Sequence, residues 1–190
     1  GVEQERWLLN SLKHSKAHWK VIAQQVFFSK KDVRAGEGEL MNMDAWDGYP
    51  ACRDRILKFI THKGISNLVV LTGDVHSNWA SEIKADFDRP DSPTVGVEFV
   101  CTSITSDGDG FDFRNDIKRI LDENPHIKFF NGQRGYVRCT VTPDTWRTDY
   151  RVLPYVSRPG APVVTRATFV VENGKPELKR VDESSTETIG

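Results

Sequence analysis

The sequence predicts an α/β fold whose C-terminal part is rich in strands. Three observations carry that reading. A helical pattern at Ala51 to His62 is followed by Gly64 and then by the apolar, β-branched run Leu68 to Leu71. Helix, glycine turn and buried strand in that order form the second half of a βαβ unit. From Tyr136 onward the chain alternates at a period of two, broken by turn residues at Thr142 to Thr145 and at Asn173-Gly174, the pattern of an antiparallel meander. No internal repeat and no linker divides the 190 residues, a length suited to one layered domain or part of one.

Taken in order, Glu3 to Lys16 has helical spacing, with an apolar stripe at Trp7, Leu8, Leu9 and Leu12. Lys20 to Ala23 reads as a strand within WKVIAQQVFF, closed by Gln24 and Gln25, polar groups suited to a pocket edge. Ser29 to Met43 is polar and glycine-containing and reads as an irregular loop. The stretch DAWDGYP, Asp44 to Pro50, is dense in aromatic and acidic residues. Pro50 suits the first position of the helix that follows, Ile56, Leu57 and Ile60 its buried side, and Gly64 its end.

The strand from Asn67 to Leu71 stops at Thr72-Gly73, and Asp74 and His76 follow at once. Open α/β sheets place their ligands at the C-terminal ends of such strands. Residues two apart share a face of an extended chain, and in a turn both can still reach one ion. A carboxylate oxygen and a neutral imidazole nitrogen suit Zn, Mn or Fe. The same residues equally suit a plain turn, in which Gly73 bends, Asp74 caps and His76 is a satisfied loop residue. Spacing alone leaves both readings open, because two ligands do not make a site.

Beyond this loop, Trp79 to Phe87 reads as a strand, Asp86 to Pro93 as a turn and Val95 to Cys101 as another strand. Asp107-Gly108-Asp109-Gly110 invites a calcium-loop reading. EF-hand spacing then needs an acid or amide, a glycine and a glutamate where the chain has Phe111, Asp112 and Lys118. It reads instead as a flexible turn before a helix at Phe113 to Glu123, with Ile117, Ile120 and Leu121 inward. Ile127 to Phe130 is a strand and Asn131 to Gly135 a turn. Tyr136 to Val141 pairs with Trp146 to Leu153, and Thr165 to Val171 with Glu177 to Val181. The tail ESSTETIG, residues 183–190, has a disordered composition, which leaves 1–182 as the folded part.

Composition is ordinary, at 38% hydrophobic and 28% charged with a net charge of −1. No basic excess points to nucleic acid or an anionic membrane surface. No apolar run is long enough for a membrane-spanning segment. The opening GVEQERWLLNSLKHS shows no signal-peptide pattern, which leaves the compartment open. The three cysteines, Cys52, Cys101 and Cys139, are widely spaced and odd in number, so no disulfide scaffold is expected; each lies in or beside an apolar pattern, as a buried thiol would. His14 and His18 stand four apart, but the first helix is expected to end between them and no acid accompanies them.

The stretches GVEQERWLLNSL, WKVIAQQVFF, DAWDGYPACRDRIL, NLVVLTGDVHSNWASEI, VEFVCTSITS, NPHIKFFNGQRGYV and WRTDYRVL together resemble the C-terminal half of the PhoD-like phosphatases, within the calcineurin-like metallophosphoesterase superfamily. The pairing of DxWDGYP with LTGDVHS is far more specific than Gly-Asp alone. The resemblance implies a four-layer α/β/β/α sandwich and an alkaline phosphatase D-like phosphodiesterase or phosphomonoesterase. It implies a secreted, periplasmic or cell-surface location. Gly73, Asp74 and His76 match the family's Gly-Asp-x-His motif, so Asp74 and His76 are the implied metal ligands, for iron with calcium, or for manganese or zinc. Asp74 would bridge or serve the calcium side, since calcium prefers carboxylate oxygen. The superfamily's other ligand motifs lie further upstream, and none precedes Gly1. The resemblance therefore implies a missing N-terminal half of the same domain that completes the centre, and weak metal binding and poor catalysis without it.

For the complete enzyme the expected reaction is metal-assisted hydrolysis of a phosphate ester. Asn78 and Ser77 are expected either to orient ligands or to pin the loop. Trp46, Asp47 and Tyr49 are candidates for a wall of the substrate pocket, or for simple packing of their loop on the helix. Arg53 and Arg134 could bind a phosphate as bidentate donors, with a surface salt bridge the default reading for either. Two rivals are weighed. Serine hydrolysis through Ser77 lacks a nucleophile elbow. A non-catalytic calcium-dependent binding or regulatory module fits the acidic loops and the missing ligands.

Overall fold

Strands β1 (Lys20–Ala23), β2 (Leu68–Thr72) and β4 (Thr94–Val100) lie side by side and parallel. The computed structural model describes residues 1–181; the expected tail, 183–190, lies outside the described residues. Parallel strands need a long crossover. Between β1 and β2 it carries a single helical turn at Trp46–Gly48 and helix α2 (Pro50–Lys63), which completes the βαβ unit read from the sequence. Pro50 opens α2, and Gly64 closes it in the left-handed region at φ 59.

Strand β3 (Asn78–Lys84) returns antiparallel beside β4, and the sheet order is β1-β2-β4-β3-β6-β7-β8-β9. β5 (Gly110–Phe111) pairs only with β6. β7 (Thr145–Leu153), β8 (Val164–Glu172) and β9 (Lys175–Val181) form the meander, which doubles back so that β9 lies against β3 and β4.

The sequence splits β6 into two strands and a turn; the structure has one strand, Ile127–Val141. Its first part pairs with β3 and its second with β7. Asn131 to Gly135 has turn composition for another reason, close approach of backbones. A Cβ on Gly135 would stand 2.0 Å from the Arg151 carbonyl oxygen, and one on Gly132 would meet the Phe111 ring.

Period-two alternation in β2 explains its uninterrupted apolar run. Leu68 and Val70 face Leu12, Ile56, Leu57 and Ile60 on the helical side. Val69 and Leu71 face Val97, Phe99, Tyr150 and Phe169 on the meander side. Both faces are covered, as parallel strands require, and each such large side chain contributes roughly 1.5–3 kcal/mol on burial. The third cluster joins Phe27, Trp79 and Val100 to Ile117 and Ile120 of α3 (Ile117–Glu123).

Three expectations shift. Helix α1 (Val2–His14) buries Leu12 and leaves Trp7 66% exposed. α3 begins at Ile117 instead of Phe113, whose ring is exposed and is followed by the Arg114–Asp116 ion pair at 2.8 Å. The cysteines are free and half-buried instead of fully buried. Among the described residues no helix is long and apolar enough to cross a membrane.

Candidate functional site

β2 ends at Thr72, and its carbonyl accepts from the Cys101 amide at 2.9 Å. The Gly73 amide donates to the Gln25 carbonyl at 3.0 Å. These bonds fix the start of the loop between the ends of β1, β2 and β4. The Val75 amide then donates back to the Gly73 carbonyl at 2.9 Å, across Asp74 at φ 73. This is a γ-turn in its rare positive-φ form. His76 follows at φ 48. Asp74 and His76, two non-glycine residues at positive φ on either side of Val75, store strain of about 1–3 kcal/mol each, a pattern concentrated at functional sites. Val75 between them packs into the cluster of Phe27, Trp79 and Ile117. An inward anchor flanked by two reversed residues turns Asp74 and His76 outward, and both are exposed.

Among the described residues no hydrogen bond occupies the Asp74 carboxylate. His76 donates from Nδ1 to Asp107 Oδ2 at 2.6 Å, and the contact holds the Asp107 carboxyl below the usual carboxylate range. Its Nε2 is left open. Asp107 therefore supplies the partner that a histidine ligand needs on its second nitrogen. No local pattern marks this partner, because the two residues are 31 positions apart. The loop that carries it is folded by its neighbour: Asp109 accepts from the Val156 and Ser157 amides, each at 2.7 Å.

Arg134 is 2% exposed and sits behind this loop. Its guanidinium donates to the His76 carbonyl, to the Gly108 carbonyl at 3.0 Å, and to Thr102 and Ser103 hydroxyls at 3.3 and 3.1 Å. Neither a surface salt bridge nor an open bidentate fork describes it. Asn78 is fully buried; its Oδ1 accepts from the Thr102 amide at 3.1 Å and its Nδ2 donates to Asn131 Oδ1 at 3.3 Å. That side chain pins the neighbouring loop to β3. Ser77 Oγ donates to the Val75 carbonyl at 3.0 Å and accepts from Trp79 Nε1 at 2.8 Å, so it is committed to the loop and poorly placed as a nucleophile.

The aromatic and acidic stretch is held by contacts of its own. Asp47 and Arg53 form a buried ion pair at 2.6 Å. Asp47 also accepts from the Lys31 amide at 3.0 Å, and Arg53 donates to the Phe28 carbonyl at 3.0 Å. A surface pairing of Arg53 is thus replaced by a buried one. Trp46 packs edge-on against Phe28 at 5.0 Å and donates to Gln24 Oε1 at 3.1 Å; Tyr49 is exposed. Among the described residues, no hydrogen bond joins Trp46, Asp47 or Tyr49 to Asp74 or His76.

A cleft of about 730 Å³ lies beside Lys30, Lys84, Phe87, Asp88, His126 and Lys128. Ile83 pairs with Gly96 near the start of β4, so this cleft is at the opposite end of the sheet from Asp74. His126 there donates from Nε2 to the Lys30 carbonyl at 2.7 Å, and burial pushes its pKa down to about 4.

Among the described residues, no three His, Cys, Asp or Glu side chains stand together as a metal cage. The outward carboxylate of Asp74 and the open Nε2 of His76 fit one edge of a metal centre, with an oxygen donor for a hard ion and a nitrogen donor for a transition ion. They do not close a centre by themselves.

An open mixed sheet with flanking helices carries a Gly-Asp-x-His loop at its parallel strand ends, an arrangement shared with a known family. The chain belongs to the PhoD-like phosphatase family, whose model matches residues 1–150. It is 53% identical over 185 residues to alkaline phosphatase D of Bacillus subtilis (strain 168), covering 97% of this chain and 32% of that protein. A solved structure of PhoD superposes with a TM-score of 0.93 at 52% identity, covering 99% of this chain and 36% of that one. The chain thus spans about a third of the length of these relatives.

Proposed function

We propose that this chain supplies one edge of the metal centre of a phosphoester hydrolase, an alkaline phosphatase D-like phosphodiesterase or phosphomonoesterase. The observation that carries the proposal is the outward pair Asp74 and His76, held on strained backbone at the parallel strand ends, with His76 already bonded to Asp107. Asp74 and His76 would hold the ions, iron with calcium or else manganese or zinc, with Asp74 on the harder ion. When bound, such ions polarise a phosphate ester and acidify a water molecule. Asn78 and Arg134 act behind the site: one pins the Thr102 loop, the other braces the His76 and Gly108 carbonyls.

The described residues form three layers, helices, central sheet and meander. In this reading residues 1–182 are the C-terminal part of a four-layer α/β/β/α sandwich. The missing N-terminal half supplies the remaining layer and ligands, and the phosphate ester binds between the halves. The family resemblance supports a secreted, periplasmic or cell-surface setting. The outward Asp74 carboxylate, an oxygen donor, also suits a second reading for the chain in isolation, a calcium-dependent module without catalysis.

Joining the chain to the complementary N-terminal region separates the two. Metal-dependent hydrolysis of a chromogenic phosphodiester is expected, with Asp74→Ala lowering kcat/KM by at least about 100-fold, the scale of lost metal positioning. Metal binding without turnover in the joined domain would favour the non-catalytic module.

A further inference from the structure

The geometry points to Asp107 as the positioning residue of His76: its carboxylate fixes the imidazole as the Nδ1–H tautomer, with the Nε2 lone pair outward. The inference rests on the proposed metal role of His76 and adds how that role is prepared. An ionised carboxylate only accepts hydrogen bonds. At 2.6 Å from Asp107 Oδ2, Nδ1 must therefore carry the proton, and Nε2 is left as the free donor atom. A histidine side chain free in water prefers the Nε2–H tautomer, so the chain uses a specific contact to reverse it.

The contact is braced from behind. Arg134 donates to the carbonyl of His76 itself and to that of Gly108, the residue after Asp107. One buried guanidinium thus ties both ends of the pair to β6. The backbone around Asp107 is also set, with Asp107 at φ 67, Gly108 at φ 68 and Gly110 at φ 75. A Cβ on Gly110 would stand 2.3 Å from the Gly132 carbonyl oxygen, so the loop closes tightly on the strand that carries Arg134. Asp107 is exposed, and a loop tethered this thoroughly for an exposed side chain is explained by what that side chain holds.

The positive φ at Asp107 selects the variants. Asp107→Gly removes the carboxylate without straining the backbone, and Asp107→Asn keeps an oxygen acceptor on a residue that tolerates this region. The chain is labelled with ¹⁵N-histidine and observed without metal near pH 8, where an ordinary imidazole is neutral. The His76 resonances are assigned by their loss in His76→Gln. In the unsubstituted chain the Nδ1–H form should exceed the Nε2–H form about fivefold or more. Asp107→Gly should invert that ratio, and Asp107→Asn should restore most of it. Zinc binding to the chain should weaken about tenfold in Asp107→Gly, the usual scale for losing such a partner. An unchanged tautomer in Asp107→Gly overturns the inference, as does an Asp107→Asn spectrum no closer to the original than the glycine variant. Tautomer inversion together with a joined domain that never hydrolyses phosphodiesters leaves Asp107 as the orienting residue and sinks the phosphoesterase reading instead.

Discussion

The loop at Gly73 to Asn78 and the stretch at Asp44 to Arg53 each carry carboxylates singled out as candidate site residues, yet the fold treats Asp74 and Asp47 in opposite ways. Asp47 is buried against Arg53 and the Lys31 amide, with both of its oxygens occupied. Asp74 is exposed on a reversed backbone and, among the described residues, has no hydrogen bond to its carboxylate. A buried carboxylate survives only when its partners are complete. An exposed one with free oxygens on strained backbone contributes nothing to folding and is available to a ligand. In this molecule satisfied charge builds the scaffold, and unsatisfied charge lies at the proposed working edge.

Removing one member of the satisfied pair should give the largest effect. Arg53→Ala leaves Asp47 buried and uncompensated and also releases the Phe28 carbonyl. Urea unfolding should show a loss of about 3–5 kcal/mol. Asp74→Ala, measured in the same way, should change stability by no more than about 0.5 kcal/mol in the destabilising direction. A small loss for Arg53→Ala, or a large one for Asp74→Ala, breaks the contrast between the two loops.

The partly buried setting of His126 extends the same contrast to pH. His126 is bonded to a carbonyl in a partly buried setting, and burial depresses its pKa from 6.5 to about 4. The fold therefore favours the neutral ring. Its contribution is fully present above pH 6.5 and is lost as pH falls towards 4, because the unfolded chain takes up the proton first. At about 1.4 kcal/mol per pH unit, stability should drop by roughly 2 kcal/mol between pH 6.5 and 5. His126→Gln should flatten that part of the profile; an unchanged slope in the variant would show that other groups carry it.

How much of this was legible in the sequence follows from which interactions are local. The βαβ unit, the meander and the Gly-Asp-x-His loop are written in adjacent residues, and the sheet places β1, β2 and β4 accordingly. The single long β6 was hidden because glycine serves close packing and turns with the same composition. Arg53 and Arg134 were visible as charges, but their burial depends on carbonyls and carboxylates brought in from other elements. Asp107 was visible only as part of a turn, since no periodicity links it to His76 across 31 residues. Long-range polar contacts of this kind leave no pattern in a single chain.

The smallest effect tests the strained loop most directly. At φ 73, Asp74 carries backbone strain that a glycine would not. Relief of about 1–3 kcal/mol is offset by the greater unfolded-state freedom of glycine, about 0.5–1 kcal/mol. Asp74→Gly should therefore stabilise the chain by about 1 kcal/mol, raising the thermal midpoint by a few degrees for a domain of this size. Val75→Gly is the internal control. It removes the side chain that packs with Phe27, Trp79 and Ile117 and adds the same backbone freedom, so it should lower the midpoint. A rise for Asp74→Gly beside a fall for Val75→Gly means that the outward donor is held against the local preference of the chain. A fall for both would assign the loop's shape to Asp74 itself, and the proposed division between scaffold charge and working charge would fail where it matters most.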